Sequence, residues 1–299
     1  MNFQHLRYFK AACQYHNISK AAEKANISQS SISAAIKSLE REYGVILIKR
    51  QRVGFVLTPE GQTFLSLIDS LIEHIDKIEG IMADASQKHK TIRFGIPPMI
   101  CAIFLRTLFK EFGNIYPEIK ISFDESGGYE LLQELSEKTL DMALVPVNGD
   151  STFEGYNSIH VARLEDVCCV SEDHPLARNK SVIISEVSKY PLIMFSDGFY
   201  HNTKMTALFE KANAKANIIY QASQLSTMEK FISENIAVGF LFKERAEQVS
   251  GIKWLSLDPK VYTSIALVWN KDVHMTKDMR RLIDFFSQES EKYLREKKM

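Results

Sequence analysis

The sequence is poor in the features that mark several large classes of protein. It has only four cysteines in 299 residues, Cys13, Cys101, Cys168 and Cys169. No pair is spaced C-x-x-C, and an adjacent pair is a poor disulfide framework, so free thiols in a reducing compartment are expected. Apolar runs stop at about seven residues, as in Ile236–Phe242, which is too short to span a bilayer. The first residues enter an amphipathic helix at once, so no signal peptide is expected and the location implied is cytoplasmic. The eight histidines form no i, i+4 pair and no H-E-x-x-H. G-x-S-x-G, G-x-x-x-x-G-K and G-x-G-x-x-G are also missing. No catalytic residue, metal ligand or cofactor is therefore assigned, and an enzyme is not expected.

What is present is unevenly distributed. The formal net charge is zero, yet residues 1–60 carry nine basic side chains against four acidic ones, a local +5. The rest of the chain must then sum to −5. Basic charge gathered at one end is the footprint of a partner with negative charge, nucleic acid above all.

Within that basic end, the stretch from Ile18 to Gly44 reads as two short helices around a tight turn. The first is expected over Ser19–Ala25 with Ser19 as its cap; Ala21, Ala22 and Ala25 give it a face that another helix can approach closely. Asn26-Ile27-Ser28 makes the turn, Ser28 caps a second helix over Gln29–Tyr43, and Gly44 ends it. Ile32, Ala35, Ile36 and Leu39 form the second helix's apolar stripe. Left outward are Gln29, Ser30, Ser31, Ser33, Ala34 and Lys37, short side chains of the kind that reach base edges in a major groove. An ordinary helical hairpin and a DNA-reading helix-turn-helix both fit these residues alone. Asn2–Tyr15 supplies a leading helix with Phe3, Leu6, Phe9 and Ala12/Cys13 on one face. Leu47–Leu57 supplies two β-prone runs around a basic turn, with Lys49, Arg50 and Arg52 at its edge.

Taken together, F-x-x-A at Phe9–Ala12, the run SKAAEKANISQSSIS, I-x-x-L-E at Ile36–Glu40, Gly44, L-I-x-R at Leu47–Arg50 and L-T-x-E-G at Leu57–Gly61 resemble the winged helix-turn-helix of LysR-type transcriptional regulators. The likeness is specific over the first 61 residues and looser beyond them. It implies a sequence-specific DNA-binding regulator, with Gln29, Ser30, Ser31, Ser33, Ala34 and Lys37 toward base edges. Lys49, Arg50, Arg52 and Lys20 would then lie toward phosphates.

Thr58-Pro59-Glu60 opens a long helix, with Thr58 as cap and Pro59 at the first helical position. Phe64, Ile68, Leu71, Ile75, Ile78 and Met82 follow at alternating spacings of four and three, the pattern of a coiled-coil seam. A second copy of the same helix is the expected partner, because a two-fold dimer presents two reading helices to a pseudo-palindromic operator. Burial of the seam against its own chain is the competing reading. Gln87–Lys90 reads as a polar hinge.

From Thr91 onward short apolar strands alternate with helices, which argues for α/β units with parallel sheets. The resemblance implies a two-lobed effector domain of periplasmic-binding-protein-like type. The organisation expected is α/β overall: a winged helix-turn-helix at 1–58, a coiled-coil linker helix and hinge at 59–90, and an effector domain at 91–299. By the same likeness, lobe I takes 91–161 plus 267–299 and lobe II takes 162–266. The family's habits also imply a small-molecule effector, an organic acid or similar metabolite, a dimer of dimers, and contact with RNA polymerase.

Ligands in open α/β sheets sit at strand carboxyl ends, where helix N-termini offer free N–H groups. Four turns fit that rule, and from them Pro98, Met99, Ile100, Ser126, Gly127, Ser196, Phe199, Ser223 and Gln224 are the candidate effector-binding residues. Each serine is equally readable as a helix cap. Pro97 and Pro98 remove two N–H donors, Met99 adds an apolar wall and Asp197 opposes a nearby anion. The effector expected is therefore more apolar than a compact dicarboxylate. A solute-binding protein, or an enzyme fused to a DNA anchor, accounts for less of the sequence.

Overall fold

The computed structural model describes residues 2–25, 27–51, 54–85, 91–147 and 155–296. The chain divides into two compact units, Met1–Lys88 and His89–Met299. The expected hinge at Gln87–Lys90 and the wing residue Arg52 lie outside the described residues.

The first unit begins with α1 (Phe3–Tyr15), α2 (Ile18–Lys24) and α3 (Gln29–Tyr43), followed by the hairpin β1 (Ile48–Arg50) and β2 (Phe55–Leu57), then α4 (Pro59–Ala85). The cap of α2 is Asn17, whose side chain accepts from the N–H groups of Ser19 and Lys20, so this helix starts one residue earlier than the serine suggested. Asparagine is as good an acceptor as serine there. Ser28 and Gly44 do bound α3, the glycine at φ +67°. Ala21 and Ala22 are buried, while Ala25 is exposed beyond the end of α2. Phe9, Ile32, Ile36, Leu39 and Leu47 meet in one core with Ile68 and Ile72 of α4. Burial of such side chains is worth about 1.5–3 kcal/mol each.

Two polar devices fix the hairpin to the helices. Glu40 Oε1, on α3, accepts from the N–H of Leu47 at 2.9 Å and of Ile48 at 3.3 Å. The Thr58 hydroxyl donates to the Ile46 carbonyl at 2.6 Å and accepts from the Gly61 N–H at 2.9 Å, capping α4. Here Gly61 is demanded by approach, since a Cβ would stand 2.0 Å from the Leu47 carbonyl oxygen. The I-x-x-L-E and L-T-x-E-G patterns thus encode the joint between helices and hairpin.

The second unit contains β3 (Ile92–Gly95), α5 (Pro98–Arg106) running into a π-helical turn, α6 (Gly113–Ile115), β4 (Ile121–Asp124), α7 (Gly128–Ser136) and β5 (Met142–Val147). Next come β6 (Tyr156–Ser171), β7 (Ser181–Val182), α8 (Ile184–Val187), β8 (Leu192–Phe195), α9 (Tyr200–Lys211), β9 (Ile218–Ala222) and α10 (Leu225–Ser233). It closes with β10 (Gly239–Phe242), α11 (Lys243–Ala246), β11 (Ile252–Asn270) and α12 (Lys277–Glu296). The sheet order is β10-β6-β11-β5-β3-β4, with β7 on β11 and a separate β8-β9 pair.

Parallel pairing holds for β3 with β4, β3 with β5, and β8 with β9. Strands β6 and β11 depart from the expected parallel pattern, pairing antiparallel with each other and with β10 and β5. Against the expectation of short strands, β11 is a single strand of 19 residues. A register shift between Ser256 and Val261 lets it pass the Asp258-Pro259 step without leaving β6. At that shift Asp166 pairs with Val261 on β11 and with Phe242 on β10. The long strands therefore exchange neighbours at Asp166, with β5 flanking one half of β11 and β10 flanking one half of β6.

Around the sheets, Phe94, Phe104, Phe112 and Phe286 share one core, Leu192, Met205, Phe209 and Phe240 a second, and Leu131, Leu135 and Val268 a third. Gly61→Ala is expected to cost about 1–3 kcal/mol, because the clashing atom is backbone. The thermal transition of the N-terminal unit in full-length protein should fall by several degrees, and an unchanged midpoint in calorimetry would contradict the account.

Candidate functional site

On the first unit α3 is two-faced. Ile32, Ala35, Ile36 and Leu39 are buried, while Gln29, Ser30, Ser31, Ala34 and Lys37 are exposed and Ser33 is half-buried. The serines are partly occupied: Ser28 Oγ lies 2.7 Å from Ser30 Oγ and 2.8 Å from Ser31 Oγ, knitting the first turn of α3. Arg50 reaches from the hairpin and donates to Ser33 Oγ at 3.1 Å. Lys49 is exposed beside it, and Lys20 lies 5.3 Å from the Tyr15 ring centroid. The structure thus brings Arg50 and Ser33 together, a contact across 17 residues that no local pattern announces.

The expected seam on α4 divides in two. Ile68 is buried and Phe64 and Leu71 pack on the unit's own core, so for this half of the expected seam the competing reading, burial against its own chain, holds. Ile78 and Met82 remain 61% and 60% exposed, joined by Leu67 at 67% and Ile81 at 46%. The open stripe is accordingly turned slightly around the helix from the expected one.

In the second unit a narrow cleft of about 360 Å³, mouth included, opens at strand carboxyl ends. Pro97, Pro98, Met99 and Ile100 form one wall at the start of α5, Gly128 and Pro146 a second, and Phe195, Phe199, Tyr200, His201 and Phe242 the third. Four expected residues therefore line it: Pro98, Met99, Ile100 and Phe199. Ser126, Gly127, Ser196, Ser223 and Gln224 stand outside this lining. Ser126 donates to Asp124 at 3.0 Å, and Ser196 and Ser223 hydrogen-bond each other at 3.0 Å, tying the end of β8 to the end of β9. A Cβ on Gly127 would come within 2.7 Å of the Gly198 carbonyl oxygen, so this glycine allows two turns to touch. Gln224 holds the cap position of α10 without a side-chain bond. Asp197 is engaged by Asn202 at 2.9 Å.

The residues missed were Phe195, Phe242 and Pro146, at or near the ends of β8, β10 and β5, and Gly128, Tyr200 and His201, at the starts of α7 and α9. The strand-end rule already pointed to the first three. Aromatic packing dominates here: the Phe195 and Phe199 rings stack at 5.1 Å, and Phe195 and Phe242 meet His201 edge-on at 5.9 and 5.7 Å. The Met99 sulfur accepts the Phe242 N–H at 3.3 Å, bridging two walls.

Behind His201 lies a buried charge. Asp166 is fully buried, with Oδ2 2.8 Å from both Lys204 Nζ and Thr263 Oγ1. Burial alone would raise its pKa, but His201 and Lys204 outweigh that and hold the carboxyl below the usual range. Burial, together with Asp166 and Tyr129, pushes the Tyr200 phenol up to about 12.

The thiols are held toward their neutral form. Burial lifts Cys13 to about 12, with Asp69 adding to it, and raises Cys168 and Cys169 further. Half-buried Cys101 is raised by burial and by Glu125. No disulfide occurs among the described cysteines. Among the described residues no group of side chains has the makings of a metal site, and no helix is long and apolar enough to cross a membrane.

A helix-turn-helix with a basic hairpin, carried on the same chain as an α/β unit with a narrow apolar cleft at its strand ends, is the make-up of a ligand-responsive transcription regulator. The family model for the LysR substrate binding domain matches residues 85–291, and that for the bacterial regulatory helix-turn-helix protein, lysR family, matches residues 3–62. The chain belongs to the LysR family: it is a DNA-binding transcription regulator with an effector-binding domain, and not an enzyme. Among curated relatives, the uncharacterized HTH-type transcriptional regulator YybE of Bacillus subtilis is 25% identical, over 91% of this chain and 93% of its own. A full-length OxyR variant from Pseudomonas aeruginosa superposes with a TM-score of 0.67 at 17% identity, covering 97% of each chain. The effector binding domain of QuiR, solved with shikimate, gives 0.61 at 21% identity, over 69% of this chain and 99% of that one. These structural likenesses establish the fold.

Thiols with raised pKa react slowly. Titration of the native protein with Ellman's reagent at about pH 8 should release at most one fast equivalent, from Cys101, and all four after unfolding. Two or more fast equivalents would contradict the burial.

Proposed function

We propose that α3 reads operator sequence through Gln29, Ser30, Ser31, Ala34 and Lys37, while Lys49, Arg50, Arg52 and Lys20 hold phosphates. The observation that carries this is the division of α3 into a buried apolar stripe and an exposed polar face. Phosphate contacts set position and base contacts set sequence. Arg50 serves both ends, since its bond to Ser33 fixes the wing against the reading helix.

In this reading the exposed stripe of Leu67, Ile78, Ile81 and Met82 pairs with the same stripe of a second copy. The dimer sets two α3 helices on a pseudo-palindromic site. Further pairing makes a dimer of dimers, RNA polymerase is the partner at the promoter, and the protein works in the cytoplasm. The domain limits proposed are 1–58, 59–90 and 91–299, with lobes 91–161 plus 267–299 and 162–266.

The effector proposed for the cleft is small, cyclic or branched, largely apolar, with at most one anionic group. The lining supports this, because Pro97 and Pro98 lack N–H donors and Met99, Ile100, Pro146, Phe195, Phe199 and Phe242 present apolar surface from three walls. Shikimate, with which QuiR was solved, is a cyclic monoacid but carries more hydroxyls than these walls would satisfy.

Gel shifts on promoter fragments test the DNA reading. Arg50→Ala should weaken binding to all sequences and lower the log–log salt slope by about 0.9, whereas Gln29→Ala should relax sequence preference. Equal sequence discrimination by both variants would contradict the assignment. For the effector, calorimetry with a panel of small acids should rank apolar monoacids above compact dianions, and tight binding of a dianion would overturn the class proposed.

A further inference from the structure

The feature the effector reading leaves unused is the buried polar junction behind the cleft. His201, in the first turn of α9, is 8% exposed and forms part of the cleft wall. Its ring is fixed edge-on between Phe195 and Phe242. The Nε2 atom lies 3.3 Å from Asp166 Oδ1, a long and poorly aligned contact. The other oxygen of Asp166 is fully engaged with Lys204 and Thr263. Lys204, one turn along α9, also donates to the Tyr262 carbonyl at 2.6 Å and to Thr263 Oγ1 at 2.5 Å.

These contacts have a topological meaning. Asp166 belongs to β6, and Tyr262 and Thr263 to β11, the two long strands that exchange neighbours at this level. Lys204 therefore straps α9 to both strands at once. His201 is the side chain of the cleft wall that also touches the strapped carboxylate. Poor alignment weakens such a contact, and a slight rotation of the imidazole would strengthen or break it.

We propose that His201 is a positioning residue that reports occupancy of the cleft to both crossing strands through Asp166. A molecule pressing on the imidazole from the cleft side shifts Nε2 relative to Oδ1. The shift changes how firmly Asp166, Lys204 and Thr263 hold the strands together where they change partners. The effector thus acts on the strand crossing directly, without an intermediate loop. This rests on the reading of the cleft as the effector site, though the coupling itself can be measured without knowing the effector.

A cleft-filling substitution takes the effector's place. A Cβ at Gly128 would sit in ordinary contact, 3.4 Å from Pro146 and 3.8 Å from Tyr200, so Gly128→Leu extends a side chain into the cleft beside α9. Hydrogen exchange of the full-length protein is then read for the amides of 164–168 and 261–264, with Gly128→Leu made in wild type, His201→Phe and His201→Gln. Phenylalanine keeps the ring packing and removes the nitrogen; glutamine keeps an N–H near Nε2.

In wild type, Gly128→Leu should change exchange at the crossing by about five-fold or more, the lower end of usual coupling between sites. The change should fall below about two-fold in His201→Phe and be restored at least in part in His201→Gln. An equal change in His201→Phe would reduce His201 to packing, and no change in wild type would remove the coupling; either overturns the proposal. If the coupling is found while no small acid from the calorimetry panel binds the wild-type cleft, the effector reading fails and the coupling stands.

Discussion

The antiparallel pairing of β6 with β11 is the constraint on which the effector unit depends. Among the described residues these are the two long strands, and β10 on one side and β5 on the other take their places from them. Two extended chains side by side resist stretching but bend where their register breaks, and of the two breaks, at Ser256/Val261 and Ile265/Ala266, the larger lies between Ser256 and Val261. A fully buried Asp166 at that break is held by Lys204, Thr263 and the nearby His201. Removing one partner of such a buried pair leaves an uncompensated charge and costs far more than the pair contributes net. The junction is thus better understood as specifying where the strands cross than as a source of stability.

The DNA-binding unit uses the same logic at its own joint. Glu40 and Thr58 supply side-chain acceptors and donors to backbone groups at residues 46–48 and 61, where the chain turns from helix to hairpin and back. Each hydrogen bond adds only about 0.5–1.5 kcal/mol, but together they fix the angle between α3 and the hairpin. That angle decides whether Arg50 and Lys49 can lie against phosphates while Gln29 faces a base. The Arg50–Ser33 contact closes the frame from the exposed side. Affinity and sequence preference consequently share one piece of scaffolding.

Much of this is legible in the amino-acid order itself. Ser28, Gly44 and Thr58 act within a few residues of themselves, so their spacing announces the helices they bound. The same locality explains the near miss at α2, where Asn17 outcompetes Ser19 as cap because its side chain reaches two orphan N–H groups at once. The cleft is legible only in part. Met99 and Phe199 follow strand ends and obey that rule, whereas the serines of the same turns spend their hydroxyls on each other or on Asp124. His201 carries no local signal, because its significance comes from a carboxylate on a distant strand and a strap completed near Thr263. The α4 seam misleads for a related reason: heptad spacing reports that a stripe is apolar, not which surface covers it. Here the core of α1 and α3 covers half.

An apolar cleft also limits how an effector can act. Moving a two-state equilibrium from 1:99 to 99:1 takes about 5.5 kcal/mol of differential affinity. At about 25 cal/mol per Å² that needs roughly 220 Å² of apolar surface buried in one state and not in the other. A ring the size of an aromatic side chain has only about 150–250 Å² in all, and the open state already covers part of it. Hydrophobic burial alone therefore falls short for a ligand of that size. The remainder comes from polar contacts that differ between the two states, made by the ligand's own polar group or within the protein. Realignment of the long contact between His201 and Asp166, where a full hydrogen bond to a charged group contributes about 1.5–3 kcal/mol, can supply part of it at the place where the two long strands change their outer neighbours.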